Sequence, residues 1–186
     1  MKARMLGRFL IAAALLVGVA AASTKGTANL PQSDSDIAKN VRHEVVIYPH
    51  YSIWDDLSFH VENGNVDLEG VVSQPYKKQD IERLIQKVPG VASVTNDIKV
   101  LPLSSMDDRL RMQVASAIYR DPNVSHYSMM ALPPIHIIVE NGHVTLTGIV
   151  NSDMEKQIAG MRAGASGLSF GPVTNNLVVE HPARKS

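Results

Sequence analysis

One stretch of the chain occurs twice, and it dictates what can form around it. The copies run from Phe59 to Val72 and from Ile137 to Val150. Each places an Asn-Gly pair, Asn63-Gly64 and Asn141-Gly142, between segments with apolar residues at every second position. Period two describes a strand with one buried face. Asn-Gly is the residue pair of a type I′ hairpin, whose two central positions both need φ > 0. A two-residue turn fixes the register: Val61 opposite Val66 and Phe59 opposite Leu68, then Val139 opposite Val144 and Ile137 opposite Leu146. A lone two-stranded ribbon is marginal in water, so each hairpin must be covered by other elements.

The segments around each hairpin supply that cover. Ser33 to Asp36 offer N-caps and negative charge to a helix start, and Ile37, Val41, Val45 and Tyr48 follow at helical spacing until Pro49. Ser73 is a cap candidate for a second helix with an Ile81, Leu84, Ile85 and Val88 stripe, ended by Pro89-Gly90. Val94, Asn96, Ile98 and Val100 alternate as a third strand. The order then repeats. Asp107 or Asp108 opens a helix with Leu110, Val114, Ala117 and Ile118. A long loop, Arg120 to Pro134, leads to the second hairpin. Asn151 is the expected cap of a helix through about Ala163, and Val173, Asn175, Leu177 and Val179 make the last strand. Val94-Thr95-Asn96 recurs as Val173-Thr174-Asn175. The pattern predicts an α+β chain of two small αββαβ modules, each a three-stranded mixed sheet with two helices on one face. The expected bounds are 33–101 and 106–181, with a proline-stiffened linker at 102–105 and a tail at 182–186. Gly70 and Gly148 fall on inward strand positions, which predicts a helix crossing close over each. Gly160 and Gly164 predict a weaker second helix in the second module.

The N-terminus reads as a leader. Lys2, Arg4 and Arg8 precede an uncharged run from Phe9 to Ala22, and small residues end it, the pattern of a cleaved secretory signal at 1–22. The run is shorter than the ~20 residues of a spanning helix. Residues 23–32 read as a disordered lead. The chain has no Cys, so neither a disulfide nor acylation of a cysteine is available, and stability rests on packing. Loss of the signal takes three of 18 basic residues and none of 18 acidic ones, for a mature net charge of −3. That argues against a nucleic-acid binder, which needs a basic face. A periplasmic location follows as an expectation.

The outward hairpin faces differ. In the first module His60, Asp67 and Glu69 make a solvated face. In the second, Ile138, Thr145, Thr147 and Ile149, joined by Val178, make a more apolar one, suited to the other module, a second copy or lipid. Packing between modules is the first expectation. Tyr48, Tyr51 and Trp54 cluster at the first loop, where aromatics close a core edge more often than they stack on a glycan.

The doubled Asn-Gly-x-Val-x-Leu-x-Gly-x-Val, with its later Val-Thr-Asn, resembles tandem BON domains. These are the modules of the osmotically induced periplasmic protein of bacteria. The likeness covers roughly Ser33 to Glu180, and Val66 to Gly70 and Val144 to Gly148 are its most specific parts. It implies an exported, non-enzymatic module that associates with phospholipid surfaces and supports envelope integrity or osmotic-stress protection. The alternative is an adaptor that binds an envelope protein or the cell wall. The long loop at 120–134 and the glycine-rich helix depart from the plain pattern.

Catalytic and metal motifs do not emerge. Ser166 lies in Gly164-Ala165-Ser166-Gly167, without nucleophile-elbow spacing. No Walker loop, His-x-x-x-His or His-Glu-x-x-His occurs, and neither a cofactor nor a metal is expected. The candidate lipid surface is on the helix opening the second module. There Arg109, Met112, Ser116 and Arg120 form one stripe, and Tyr127, Met129, Met130 and Leu132 follow in the loop. Arginine beside flexible apolar side chains suits an anionic headgroup over an acyl boundary. The alternative for Tyr127, Met129 and Leu132 is closure of the second core.

Overall fold

The structure, a computed structural model, describes residues 32–166 and 170–180. The signal segment, nearly all of the lead and the tail lie outside the described residues. The elements are α1 (Asp34–Ile47), β1 (Asp56–Glu62), β2 (Asn65–Val72), α2 (Pro75–Ile85), β3 (Ser93–Asn96) and β4 (Lys99–Val100). The second module has α3 (Ser105–Tyr119), a short 3₁₀ turn (Ser125–Met129), β5 (Ile135–Glu140), β6 (His143–Val150), α4 (Asp153–Gly164), β7 (Thr174–Asn175) and β8 (Val178–Val179).

Both hairpins form in the expected register, Val61 with Val66 and Phe59 with Leu68, then Val139 with Val144 and Ile137 with Leu146. Asn63 and Gly64 take φ of 51° and 78°, and Asn141 and Gly142 take 51° and 79°, as a type I′ turn requires. β2 is central, antiparallel to β1 and parallel to β3 and β4. β6 stands likewise between β5 and the pair β7 and β8. The first core joins Ile37, Val41 and Val45 of α1, Ile81 and Ile85 of α2, and Val66, Leu68 and Val72 of β2. The second joins Leu110, Val114 and Ile118 to Ile137, Val139, Leu146 and Ala159.

The third strand of each module comes in two pieces, and an asparagine makes the break. Asn96 turns inward and donates from Nδ2 to the carbonyl of Lys78 at 3.1 Å, while its Oδ1 accepts the N–H of Ile98. Asn175 repeats this with Lys156 and Leu177. The amide thus ties the strand break to the helix and takes the N–H two residues on, two bonds that an apolar side chain could not make. Gly160 stands where Asn175 must pass: a Cβ there would lie 2.7 Å from Nδ2.

Three helix starts differ from expectation. Ser104 caps α3, and Asp107 lies inside its first turn. Ser152 rather than Asn151 caps α4, in a reciprocal pair with Glu155. Gln74 sits at the cap of α2 without a side-chain bond, because Ser73 is drawn away to the buried carboxylate of Asp55. The crossing-helix expectation for Gly70 and Gly148 is also corrected. A Cβ on Gly148 would meet the Pro134 carbonyl oxygen at 1.9 Å, and one on Gly70 the Asp56 oxygen at 2.1 Å. Partner-strand backbone, not a helix, crowds each glycine, and their φ values of 118° and 106° lie where side chains are strained.

The two modules touch through the loop before β1. Ile53 accepts the N–H of Ile137 at 2.7 Å through its carbonyl, and Ile53 and Trp54 pack against the second core. His136 Nδ1 is hydrogen-bonded to the Asp55 carbonyl, and its ring lies 5.7 Å from that of Tyr51. Lys99 of β4 pairs with Glu140 at 2.6 Å. Ile138, between His136 and Glu140 in sequence, is buried. Packing between modules therefore takes the β5 part of the outward apolar face, while Ile149 and Val178 stay exposed.

Candidate functional site

α3 carries a buried face and an exposed stripe beside it. At 3.6 residues per turn, Leu110, Val114 and Ile118 form the buried face. Arg109, Met112, Ser116 and Arg120 form a stripe that flanks it, and Met106 stands one turn before Leu110 at the helix start. Met106 and Met112 are exposed, the latter at 63%, and so are both arginines. The neighbouring acid, Asp108, is occupied by Arg111. Among the described residues neither Arg109 nor Arg120 has an ion-pair partner, so their charge faces solvent.

At the N-terminal end of this face the structure adds a residue that the sequence reading missed. Phe170 is 66% exposed, and it borders a cleft of about 90 Å³ with Met106, Arg109, Leu110 and Gly142. Its N–H is donated to the Gly142 carbonyl at 2.9 Å, which fixes it against the hairpin turn. Ala92 makes the same backbone bond to Gly64 in the first module. A phenylalanine in place of alanine at a repeated position was the available signal.

The predicted residues divide at the other end. Tyr127 is not on the surface. It is 2% exposed, donates to Glu155 at 3.0 Å and accepts the N–H of Asn151. Burial raises its pKa, and the adjoining Glu155 carboxylate adds to the shift. Tyr127 therefore closes the second core, and Leu132 is half-buried. Met129 and Met130 remain outside, at 89% and 50% exposure. Arg120 lies eleven residues from Arg109, roughly 16 Å along the helix axis. The site thus has two parts: Met106, Arg109, Met112 and Phe170 at one end, and Arg120 with the loop methionines at the other. Asn63, Gly64, Asn141 and Gly142 stand in the two turns, and Gly70 and Gly148 in β2 and β6, all six with positive φ.

Among the described residues no group of three acidic or histidine side chains is placed to hold a metal ion, and no helix is long and apolar enough to cross a membrane. Two αββαβ modules in tandem, each closed on one hairpin, define a class of small repeat-built α+β proteins. The chain belongs to the BON domain family, whose model matches residues 33–102 and again 106–180. No curated protein matches the chain. Among solved structures it is similar to CdsD, a structural protein of the type III secretion system of Chlamydia trachomatis. The identity is 14% and the TM-score 0.30, over 78% of this chain and 61% of that one. A C-terminal domain of CdsD is similar at 14% identity and a TM-score of 0.31, over 80% of this chain and 67% of that one.

Proposed function

We propose that this chain is an exported, non-catalytic binding module of the bacterial cell envelope that docks on anionic phospholipid surfaces through α3. The observation that supports it is the outer face of that helix, where Arg109 and Arg120 have no ion-pair partner among the described residues, the exposed Asp108 is paired with Arg111, and Met106, Met112 and the nearby Phe170 are exposed. Arginine recognises a phosphate through several donors at once, and Met and Phe side chains enter the headgroup boundary. The corresponding stripe of α1 presents Asp36, Lys39 and His43 instead. Support of envelope integrity under osmotic stress follows from surface association in the periplasm, after cleavage behind Ala22.

Co-sedimentation with vesicles of phosphatidylglycerol and phosphatidylcholine tests the reading. Binding should need the anionic lipid and weaken with salt, because the Debye length is only ~8 Å at physiological ionic strength. The double variant Arg109→Glu with Arg120→Glu should lose binding while keeping the parent's circular dichroism and melting temperature. Undiminished binding by that folded variant removes α3 from the mechanism. Retention on isolated cell wall but not on vesicles favours the adaptor instead.

A further inference from the structure

The two modules treat the same strand edge differently. In the second module the outer edge of β5 is occupied. Arg111 donates to the Val139 carbonyl at 2.7 Å, Tyr119 Oη to the Ile135 carbonyl at 2.8 Å, and Ile137 gives its N–H to Ile53. Aligning Ile37, Val41 and Val45 of α1 with Leu110, Val114 and Ile118 of α3 sets Ala38 at the place of Arg111 and Val46 at that of Tyr119. Both replacements are too short to reach the strand and carry no donor. Phe59 of β1 takes the place of Ile137. Among the described residues its outward N–H has no partner, nor has the carbonyl of Val61.

The short side chains leave a groove. It lies between α1 and the β1 edge, has a volume of about 560 Å³, and is lined by Ala38, Val46, Leu57 and Phe59 with Lys39 and Arg42 at its border. Arg42 is exposed and unpaired among the described residues. Unpaired N–H and C=O groups on an edge strand are a template for another strand. In the second module a turn over residues 52–55 covers that edge, its Ile53 carbonyl taking the N–H of Ile137, with Ile53 and Trp54 seated on the core behind it.

We propose that the β1 edge of the first module is a docking site for an extended apolar and acidic peptide segment of a partner protein. Its carbonyl accepts from the N–H of Phe59, its large apolar side chain enters between Ala38 and Val46, and its carboxylates face Arg42, beside the Lys39–Asp36 pair. A second copy of this chain fits less well, because pairing β1 with β1 would set the Arg42 of each copy toward that of the other. The site is on the other module from α3 and does not depend on lipid binding.

The probe is a capped synthetic peptide with the sequence of residues 51–57, which carries Ile53, Trp54, Asp55 and Asp56. Titration into the full chain, followed by backbone amide NMR, should shift and protect the Phe59 and Val61 amides. Arg42→Glu should weaken the binding about tenfold or more. The double variant Ala38→Arg with Val46→Tyr, which installs the plugs of the second module, should abolish it without lowering the melting temperature. A parent chain that does not bind the peptide, shifts confined to β5, or equal binding by the plugged variant would each overturn the proposal. So would a parent dimer that the plugged variant dissolves, since the occupant would then be a second copy.

Discussion

Asp107 grips Gly142 from 35 residues away, its carboxylate accepting the glycine N–H at 2.8 Å. The same carboxylate takes the N–H of Asn141 at 2.9 Å. Asp34 does this in the first module, for Asn63 and Gly64. The first turn of each opening helix is thereby fastened to the tip of its hairpin. Each bond is charge-assisted, and a type I′ turn exposes these two N–H groups together. Asp107 is 2% exposed, whereas Asp34 is half-buried, so water replaces Asp34 more readily.

Asp107→Ala should therefore destabilise the chain by about 3 kcal/mol, and Asp34→Ala by about 1 kcal/mol. Urea denaturation, with the slope unchanged, measures both. Equal losses would show that burial does not set the difference.

The glycines divide into two classes. Gly148 combines φ of 106° with a carbonyl oxygen 1.9 Å from any added Cβ, while Gly164 at the end of α4 meets nothing within 4 Å. Gly148→Ala should cost roughly 2–3 kcal/mol through backbone strain and displacement of the Pro134 peptide. Gly164→Ala should instead raise stability by roughly 0.5–1 kcal/mol. Paired thermal melts decide it, and a Gly148→Ala melting temperature at the parent's would refute the account.

The hairpins were legible in the sequence because their signal is local. Asn-Gly and period two determine turn, register and inward face within fourteen residues. The helix stripes were legible for the same reason. What the sequence hid was contact between distant segments. Period two put Gly148 on the inward face, but nothing local told that its φ would turn positive beside Pro134. The alternation from Val94 to Val100 ran through Asn96, whose side chain replaces a strand bond with a helix carbonyl. Trp54 read as part of a loop cluster with Tyr48 and Tyr51, and the core that it joins beside Ile53 lies more than fifty residues further on.

The candidate surface was legible in part. Arg109, Met112 and Arg120 were set by helical spacing alone, and the structure keeps them exposed. Tyr127 was misplaced because its role depends on Glu155 and Asn151, reached only when the long loop folds back on α4. Phe170 was missed because its loop takes position from the second hairpin turn, not from its own sequence.

Lys77 and Asp55 form a pair with almost no water. Lys77 Nζ lies 2.6 Å from Asp55 Oδ2 and 2.9 Å from Ser73 Oγ, and the two side chains are 5% and 0% exposed. Removing one partner of a buried pair strands the other charge, at a cost of about 3–5 kcal/mol. Lys77→Ala should lose that much. Because the Asp55 backbone also holds His136, the variant should in addition shift the fluorescence of Trp54, the chain's single tryptophan, to longer wavelength. A stable variant with unaltered emission would mean that the pair serves neither module.

Acid sensitivity should centre on Asp121. Its Oδ1 accepts the backbone N–H and the side-chain amide of Asn123, both at 2.9 Å, and its Oδ2 meets Arg162 Nε at 2.7 Å. The Asn123 backbone N–H is the leading cause, followed by the Asn123 amide and Arg162, that holds its pKa below the ordinary 3.8. A carboxylate depressed in the folded state stabilises above its unfolded pKa. That contribution is lost as pH falls from 3.8 through the lower folded value. The bond to Arg162 ties α4 to the loop after α3, so its loss should release the glycine-containing helix first. Asp36 is also depressed, mainly by the Ser33 hydroxyl, but it sits on the surface with an exposed Lys39, where screening leaves little effect on stability. Melting temperatures at pH 7 and pH 3 should converge in Asp121→Asn, which is less stable than the parent at pH 7 and has less to lose. Asp36→Asn should keep the parent's full acid limb. An acid limb as steep in Asp121→Asn as in the parent would place the sensitivity in another carboxylate.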